Sequence, residues 1–471
     1  RFSEGPEFVK KVLVITYAFP PMSVVGVYRT LKFCKFLPEF GWEPVVLTIK
    51  RGKDWAYDES LLADLPRGTK VYRTRTFEPL ITYENFHQGR RKRSGIVGGY
   101  RGEEQDQVDS KSLFQMLRSY VAGWLSTPDK QALWLPFALA EGRKILREEE
   151  IDLIYTSSPP HSTHLIGYFL KRFSGLPWVA DFRDPWTLNE YFQEKPTTPK
   201  MKQLEAYLER LVVSGCDHLV ANTRSVAEAF GWKFSYLPLS GISTIPNGYD
   251  PEDFQGLEPH NFEKFTITHL GSLYGRRQPI EFLKGLRLFL QGHPEAKERV
   301  KVLFVGNIEE KILERMREFD LSEVVECRPH QPRRQALRLA VFSHLLLLIL
   351  GHDPKAAGII PAKLFEYLFT GKPILALVGE GETAEVIRSH DAGTVITSPD
   401  VEEVGLCIKQ YYQDYLKGNR FQTRSNSSEI EKYHRRHLTA ELAEIFDSLV
   451  SGQSAGEVQP RRSLETAYGS T

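Results

Sequence analysis

The sequence predicts an α/β protein with two domains, each built on a parallel β-sheet. Short apolar runs alternate with segments of helical period along most of the chain, as in α/β folds. The 471 residues are enough for two full-sized cores. Weak periodicity over residues 251–263, after the turn Ile245-Pro-Asn-Gly-Tyr-Asp250, marks a linker. We therefore expect domains over 1–248 and 249–429, a helix over 430–450 and a polar tail, disordered or a tag, over 451–471.

The composition of the chain disfavours several classes of protein function. Lys and Arg total 61 and Asp and Glu total 60, so a net charge of +1 gives no general attraction for nucleic acid. The four cysteines are far apart and form no C-x-x-C pair, which disfavours a cysteine zinc site or a disulfide framework. No run approaches the roughly 18–20 apolar residues of a membrane span, and the beginning of the chain does not resemble a signal peptide. We expect a cytoplasmic protein with no nucleic-acid partner.

Residues 361–373 predict a short helix in the second domain. Proline near each end and glycine at 371 mark its limits, and the apolar runs 345–350 and 374–378 flank it. Lys363 and Glu366 lie three apart on one side near the helix N-terminus, where backbone N–H groups and the dipole favour an anion. An anionic ligand with hydroxyl groups fits this pattern. The alternative is an ordinary helix with a Lys–Glu salt bridge.

This segment resembles the donor-sugar signature of retaining GT-B glycosyltransferases of family 4. In that family the glutamate on this helix binds the ribose of a sugar nucleotide, so the resemblance implies this role for Glu366. The family usually has a second glutamate eight residues earlier, where this chain has Gly358. Backbone N–H groups of the loop are the expected substitute.

The first strand, over residues 11–17, is followed by a loop with a glycine before the next helix. Gly26 lets backbone N–H groups approach a phosphate or sugar closely. The loop is similar to the family's first loop, which implies donor contacts for Gly26 and Arg29, although residues 23–25 depart from its glycine pair. The alternative is a plain strand–helix turn. The matching positions are Pro20, Pro21, Gly26, Val27 and Arg29.

Two further strands of the first domain end in polar side chains. One is followed by His161, which can bond a sugar hydroxyl or move a proton, and the other delivers Asp181, Arg183 and Asp184. Charges beside aromatic residues are costly to bury without a ligand or a tight pair. The run 180–186 resembles a marker of one bacterial and archaeal subgroup of the family. We expect these four residues to be catalytic; the alternatives are a helix cap at His161 and an Asp–Arg pair that fixes the loop.

The second domain opens with a strand over 265–270 and a glycine-containing loop. Gly271 and Ser272 allow the backbone to approach a diphosphate, and Arg276 and Arg277 can neutralise it through bidentate hydrogen bonds. The family grips the nucleotide phosphates with a similar loop, and we favour Arg277 over Arg276. The alternative is two solvated surface arginines.

A basic insert interrupts the first domain over residues 77–126. It contains Arg90-Arg-Lys-Arg93, followed by an amphipathic, aromatic-bearing pattern over 113–125. Such a combination can dock on an anionic membrane surface, at about 1 kcal/mol per basic residue. The alternative is a solvated loop with a helix that faces the core.

The resemblance spans roughly residues 10–450 and implies the GT-B fold, in which two Rossmann-like domains face each other across a cleft and the last helix crosses back. It also implies a retaining transferase that uses a UDP- or GDP-linked sugar and no cofactor, with a glycan or lipid-linked glycan precursor as acceptor. No two aspartates stand two apart, so the usual D-x-D metal site is missing. Arg276, Arg277, Lys363 and helix N-termini would then meet the charge of the leaving group. A sugar-nucleotide epimerase and a non-catalytic scaffold protein remain alternatives.

Overall fold

The computed structural model contains two parallel β-sheets with helices packed against them. The predicted membrane-facing segment around Arg90 to Arg93 and nearly all of the tail lie outside the residues that the structure describes. The described residues are 9–50, 56–77, 127–189, 198–236, 241–257, 262–418 and 427–452.

The first sheet has the strand order β3-β2-β1-β4-β5-β6-β7 within the described residues, and all pairs are parallel. Its central strands are apolar on both faces, as expected where helices cover a sheet on both sides. The sequence did not predict β7. The strands are β1 (Lys10–Thr16), β2 (Trp42–Ile49), β3 (Lys70–Thr74), β4 (Leu153–Ser158), β5 (Trp178–Phe182), β6 (His218–Ala221) and β7 (Ile242–Thr244).

The helices of the first domain connect these strands. Trp134, Trp178 and Phe182 lie in the core between sheet and helices, and each is fully buried. The described helices are α1 (Val25–Phe36), α2 (Leu135–Glu148), α3 (Ser162–Ser174), α4 (Pro199–Gly215) and α5 (Arg224–Lys233).

The second sheet has the order β10-β9-β8-β11-β12-β13 in the part of the chain that the structure describes, again with parallel pairs. Its strands are β8 (Phe265–Leu270), β9 (Val300–Val305), β10 (Val325–Arg328), β11 (Leu345–Gly351), β12 (Ile374–Val378) and β13 (Gly393–Ile396). Its helices are α6 (Ile280–Gly292), α7 (Glu310–Arg317), α8 (Arg333–Phe342), α9 (Lys363–Thr370), α10 (Glu382–Ser389), α11 (Val401–Leu416) and α12 (Ser427–Ile430).

The last helix, α13 (Arg435–Val450), returns from the second domain to the first. Its apolar face buries Leu438, Leu442 and Phe446 against the first sheet, and the Phe446 ring contacts Trp42 edge-on at 5.2 Å. The predicted α/β architecture of two Rossmann-like domains with a returning helix is therefore confirmed. The predicted boundary at 248/249 falls between the last strand of one sheet and the first strand of the other.

In both sheets the strand order reverses at a point that favours ligand binding. The order reverses between β1 and β4 in the first sheet and between β8 and β11 in the second. Ligands of open α/β sheets bind outside the carboxyl ends of the strands at such points. The loops and first helical turns after β1, β4, β8 and β11 carry most of the residues singled out from the sequence. None of the described helices is long and apolar enough to cross a membrane.

Candidate active site

The second-domain side of the site is built around a contact between Gly271 and Lys363. Gly271 follows β8 with φ +118°, a backbone region that favours glycine. A Cβ atom at this position would lie 2.5 Å from Nζ of Lys363. Lys363 is the first residue of α9, so the helix directs its side chain over the β8 loop. Glycine is required here for both reasons, and the structure brings two predicted site residues together.

The ammonium of Lys363 makes no ion pair or hydrogen bond with any residue in the described part of the chain. Burial of the ammonium, and then the charge of Arg277, lower the pKa of Lys363 to about 7, against the opposing effect of Glu366. A bound anion stabilises the protonated form of such a buried lysine, so the lysine favours a negatively charged ligand. The site is therefore suited to a diphosphate group.

The two arginines of the β8 loop differ in their surroundings. Arg276 forms a salt bridge with Asp353 in the loop after β11, so the pair ties the two loops together. Arg277 lies over the ring of Tyr274, with 5.2 Å from its guanidinium carbon to the ring centroid. Among the described residues it pairs with no carboxylate, and its charge acts on Lys363. Ser272 is partly exposed in the same loop. Arg277 thus remains the predicted phosphate ligand, because its guanidinium has no carboxylate partner among the described residues.

Glu366 lies in the first turn of α9 but does not pair with Lys363. Its Oε1 accepts from Nη1 of Arg333 at 2.7 Å, and Arg333 also binds Asp253 at 2.8 Å and lies 4.3 Å from the ring of Tyr28. The alternative of a salt bridge between Lys363 and Glu366 is wrong, because the Glu366 carboxylate pairs with Arg333 instead. The sequence analysis missed Arg333. Its signal was a basic residue directly after Pro332 at the start of a helix that follows a strand.

The first-domain side contains His161, Arg183 and Asp184. The His161 ring stacks on Trp186 with centroids 5.0 Å apart and planes at 6°, so the loops after β4 and β5 are held together. Arg183 lies directly over Gly26, because a Cβ atom there would stand 1.9 Å from its Nη1. Asp184 is half-exposed and lies 3.4 Å from Nη2 of Arg183. These residues lie on neighbouring loops at the carboxyl ends of β4 and β5.

Arg29 and Asp181 have a different position from the one expected. They form a fully buried bidentate pair, with Nε–Oδ2 and Nη2–Oδ1 distances of 2.8 Å. Arg29 also donates to the carbonyl oxygens of Ile245 and Pro246, and Asp181 accepts from Tyr155 and Ser157. The predictions of donor contact by Arg29 and of catalysis by Asp181 are corrected, because both side chains are fully buried and face each other. The pair fixes the loop 245–250, which leads to the second domain, to the first sheet.

Glu382 and Gly358 of the second domain both contact the start of α5 in the first domain. Glu382, at the start of α10, accepts hydrogen bonds from the backbone N–H groups of Ser225 at 2.6 Å and Arg224 at 3.2 Å, at the start of α5. A Cβ atom on Gly358 would lie 3.2 Å from Cβ of Ser225. The loop that lacks the family's glutamate therefore packs against the opposite domain, where a Cβ atom would already be in tight contact with Ser225.

Part of the chain is similar to a known protein family. Residues 96–253 match Glycosyltransferase Family 4. The match covers most of the first domain and ends at the hinge, before the second sheet begins. No curated protein sequence matches the chain.

Solved structures share the fold over nearly the whole chain. HepE from Anabaena, in complex with UDP and glucose, is 15% identical and has a TM-score of 0.59, with 93% of this chain and 100% of that chain covered. Sucrose-phosphate synthase from Thermosynechococcus elongatus is 12% identical with a TM-score of 0.59, covering 94% and 100%. A glycosyltransferase from Rickettsia africae is 12% identical with a TM-score of 0.58, covering 94% and 98%.

The family match and the fold agree. They confirm the predicted GT-B fold, and residues 96–253 are similar to Glycosyltransferase Family 4. Chemically, the second domain offers a lysine without an ion-pair partner among the described residues, a nearby arginine and a carboxylate, and the first domain offers a histidine, an arginine and an aspartate. Such a set can neutralise a phosphate leaving group and orient hydroxyl groups without a protein nucleophile.

Proposed function

We propose that this protein is a glycosyltransferase that transfers a sugar from a nucleoside-diphosphate sugar to a glycan or lipid-linked glycan precursor, with retention at the anomeric carbon and without a catalytic metal. The observation that carries the proposal is the position of Lys363. Its ammonium lies against Gly271 beside Arg277, unpaired within the described residues. A diphosphate is the ligand class that such a pair of cations binds best.

The chemistry follows from the charges. As the glycosidic bond to the donor phosphate breaks, negative charge builds on the departing oxygen, where Lys363 and Arg277 stabilise it. The phosphate can accept the proton of the acceptor hydroxyl as the new bond forms on the same face. His161 and Asp184 orient the sugar and acceptor, and Glu366 holds the ribose.

We favour UDP as the nucleotide, with GDP as the second choice. HepE from Anabaena, which shares the fold, was solved with UDP and with UDP-glucose. The acceptor class and a peripheral location at the inner face of a membrane rest on the sequence alone.

The first experiment is nucleotide binding by thermal shift with UDP, GDP and ADP. We expect one nucleotide to raise the melting temperature, and expect that shift to be lost in Glu366→Ala and Arg277→Ala. Arg287→Ala is a matched control, because Arg287 also lies over an aromatic ring, Phe319 at 5.4 Å, away from the cleft. No shift with any nucleotide contradicts the proposal.

The second experiment tests transfer itself. The preferred UDP-sugar is incubated with and without acceptors in the presence of EDTA, and the linkage is read by NMR. An α-linked product from an α-linked donor, with undiminished rate in EDTA, supports the proposal. Turnover of the sugar nucleotide to its epimer without any acceptor supports the epimerase alternative instead.

A further inference from the structure

Three metal-binding side chains meet at the start of the returning helix, on the segment Glu431-Lys-Tyr-His434-Arg-Arg-His437. Oε1 of Glu431 lies 3.4 Å from Nδ1 of His434 and 3.8 Å from Nδ1 of His437. One ligand atom from each residue lies within 4.8 Å of the other two. The turn Glu431–Tyr433 and the first turn of α13 bring the three together. None of them belongs to the candidate active site.

The surrounding contacts hold two of the three side chains in place. The second carboxylate oxygen of Glu431 accepts a hydrogen bond from the Tyr249 hydroxyl at 3.4 Å. The His434 ring stacks on Tyr249 at 5.8 Å and contacts Phe36 edge-on at 6.0 Å, which leaves its side chain 17% exposed. Outer contacts of this kind orient metal ligands and raise affinity. His437 is 44% exposed and Glu431 is 51% exposed, so the cluster opens to solvent on one side.

We propose that Glu431, His434 and His437 bind one divalent transition-metal ion, with zinc as the preferred ion. Two imidazoles and one carboxylate suit zinc, whereas calcium and magnesium require sets of oxygen ligands. Ligand atoms bonded at about 2.1 Å in a tetrahedral site stand roughly 3.4 Å apart, close to the distances already present. Water completes the coordination from the open side.

Binding requires His437 to change tautomer. Nδ1 of His437 lies 2.9 Å from the carbonyl oxygen of Glu431, so in the neutral ring Nδ1 carries the proton and donates it to this oxygen. A nitrogen that binds metal must be unprotonated, so Nδ1 gives its proton to water and Nε2, which faces solvent, takes one up as the metal–nitrogen bond forms; the ring stays neutral. The ion then links the turn Glu431–Tyr433 to α13. Because His434 and Tyr249 also pair through their backbones, the ion lies beside the hinge between the domains.

The test is metal binding by the full chain after chelator treatment and dialysis. We expect one zinc ion per chain, measured by calorimetry or by competition with a chromophoric chelator. Cobalt should give the visible absorption bands of a four- or five-coordinate site without a thiolate charge-transfer band, which excludes the cysteines. His437→Ala and Glu431→Gln change exposed side chains, so both variants should fold, and each should weaken zinc binding at least tenfold.

The matched control is His293→Ala. Nδ1 of His293 lies 3.3 Å from Oε1 of Glu295, which reproduces one His–Glu pair without a third ligand. Zinc affinity should be unchanged in this variant. Zinc binding that survives in a His434→Ala, His437→Ala double variant, or no saturable zinc binding by the wild type in the micromolar range, overturns the proposal.

Discussion

Nη1 of Arg333 lies 2.7 Å from Oε1 of Glu366, and the same guanidinium holds Asp253. The residue proposed to bind the ribose is thus already engaged by a protein partner. A ribose must share the carboxylate with Arg333, which fixes its orientation. Arg333 also lies over Tyr28 of the first domain, so this contact couples the nucleotide site to the cleft.

The first prediction compares the two carboxylates that share Arg333. Glu366→Gln should weaken nucleotide binding by about tenfold or more, because a hydrogen bond to a charged group contributes about 1.5–3 kcal/mol. Asp253→Asn, which removes the other partner, should lower the free energy of unfolding but leave the nucleotide dissociation constant within about twofold. Calorimetric titration and urea unfolding measure the two quantities. Equal loss of affinity in both variants would show that Glu366 acts only through Arg333.

The second prediction is a pH dependence caused by Lys363. With a pKa of about 7, the side-chain amine of Lys363 is mostly neutral above that pH in the free protein. A bound diphosphate favours the charged form. Binding of UDP-glucose, whose diphosphate does not titrate in this range, should take up a proton and weaken as pH rises from 7 to 9. Lys363→Arg should bind without this slope, since arginine stays charged. A slope that persists in Lys363→Arg rules out Lys363 as its source.

The same lysine affects folding in the opposite direction. Its pKa lies below the ordinary value of 10.5, so between about pH 7 and 10.5 the unfolded chain holds a proton that the folded chain lacks. The contribution of Lys363 to the free energy of unfolding therefore rises with pH across this window. Lys363→Met should flatten that rise, as measured by urea unfolding at several pH values.

The third prediction separates structure from catalysis in the run from Ala180 to Trp186. Asp181→Asn leaves Arg29 as an uncompensated buried charge, a change that typically costs about 3–5 kcal/mol of folding free energy. Asp184→Asn removes a half-exposed partner and should cost less than about 1 kcal/mol. The activity per folded molecule should fall more in Asp184→Asn than in Asp181→Asn, which is the reverse of the order for stability. A large loss of activity in stable, folded Asp181→Asn would restore the original catalytic assignment.

The sequence predicted the architecture because buried parallel strands are apolar throughout and end in recognisable turns. Residues 374–378 and 265–270 were located without error, whereas β7, with only three residues, carried too little signal. The site was harder to predict because partners came from distant parts of the chain. Asp181 pairs with Arg29, 152 positions away, and no local pattern distinguishes a buried partner from a substrate. The motifs that contain Gly271 and Lys363 could each be recognised from the sequence. That the two residues contact each other is seen only in the structure.

The last prediction concerns Glu382, which joins the domains through the backbone at the start of α5. Both its oxygens accept hydrogen bonds from that helix, and the residue is 8% exposed, so the carboxylate acts as a helix cap supplied by the other domain. Glu382→Ala should cost about 1–2 kcal/mol of stability and shift the cleft toward an open state, with a larger radius of gyration in solution scattering. Glu385→Ala is the control, because that residue contacts Arg224 only at the exposed surface, at 3.2 Å. If Glu382→Ala scatters and unfolds like this control, the cleft is held by the Arg333 contacts and not by the cap.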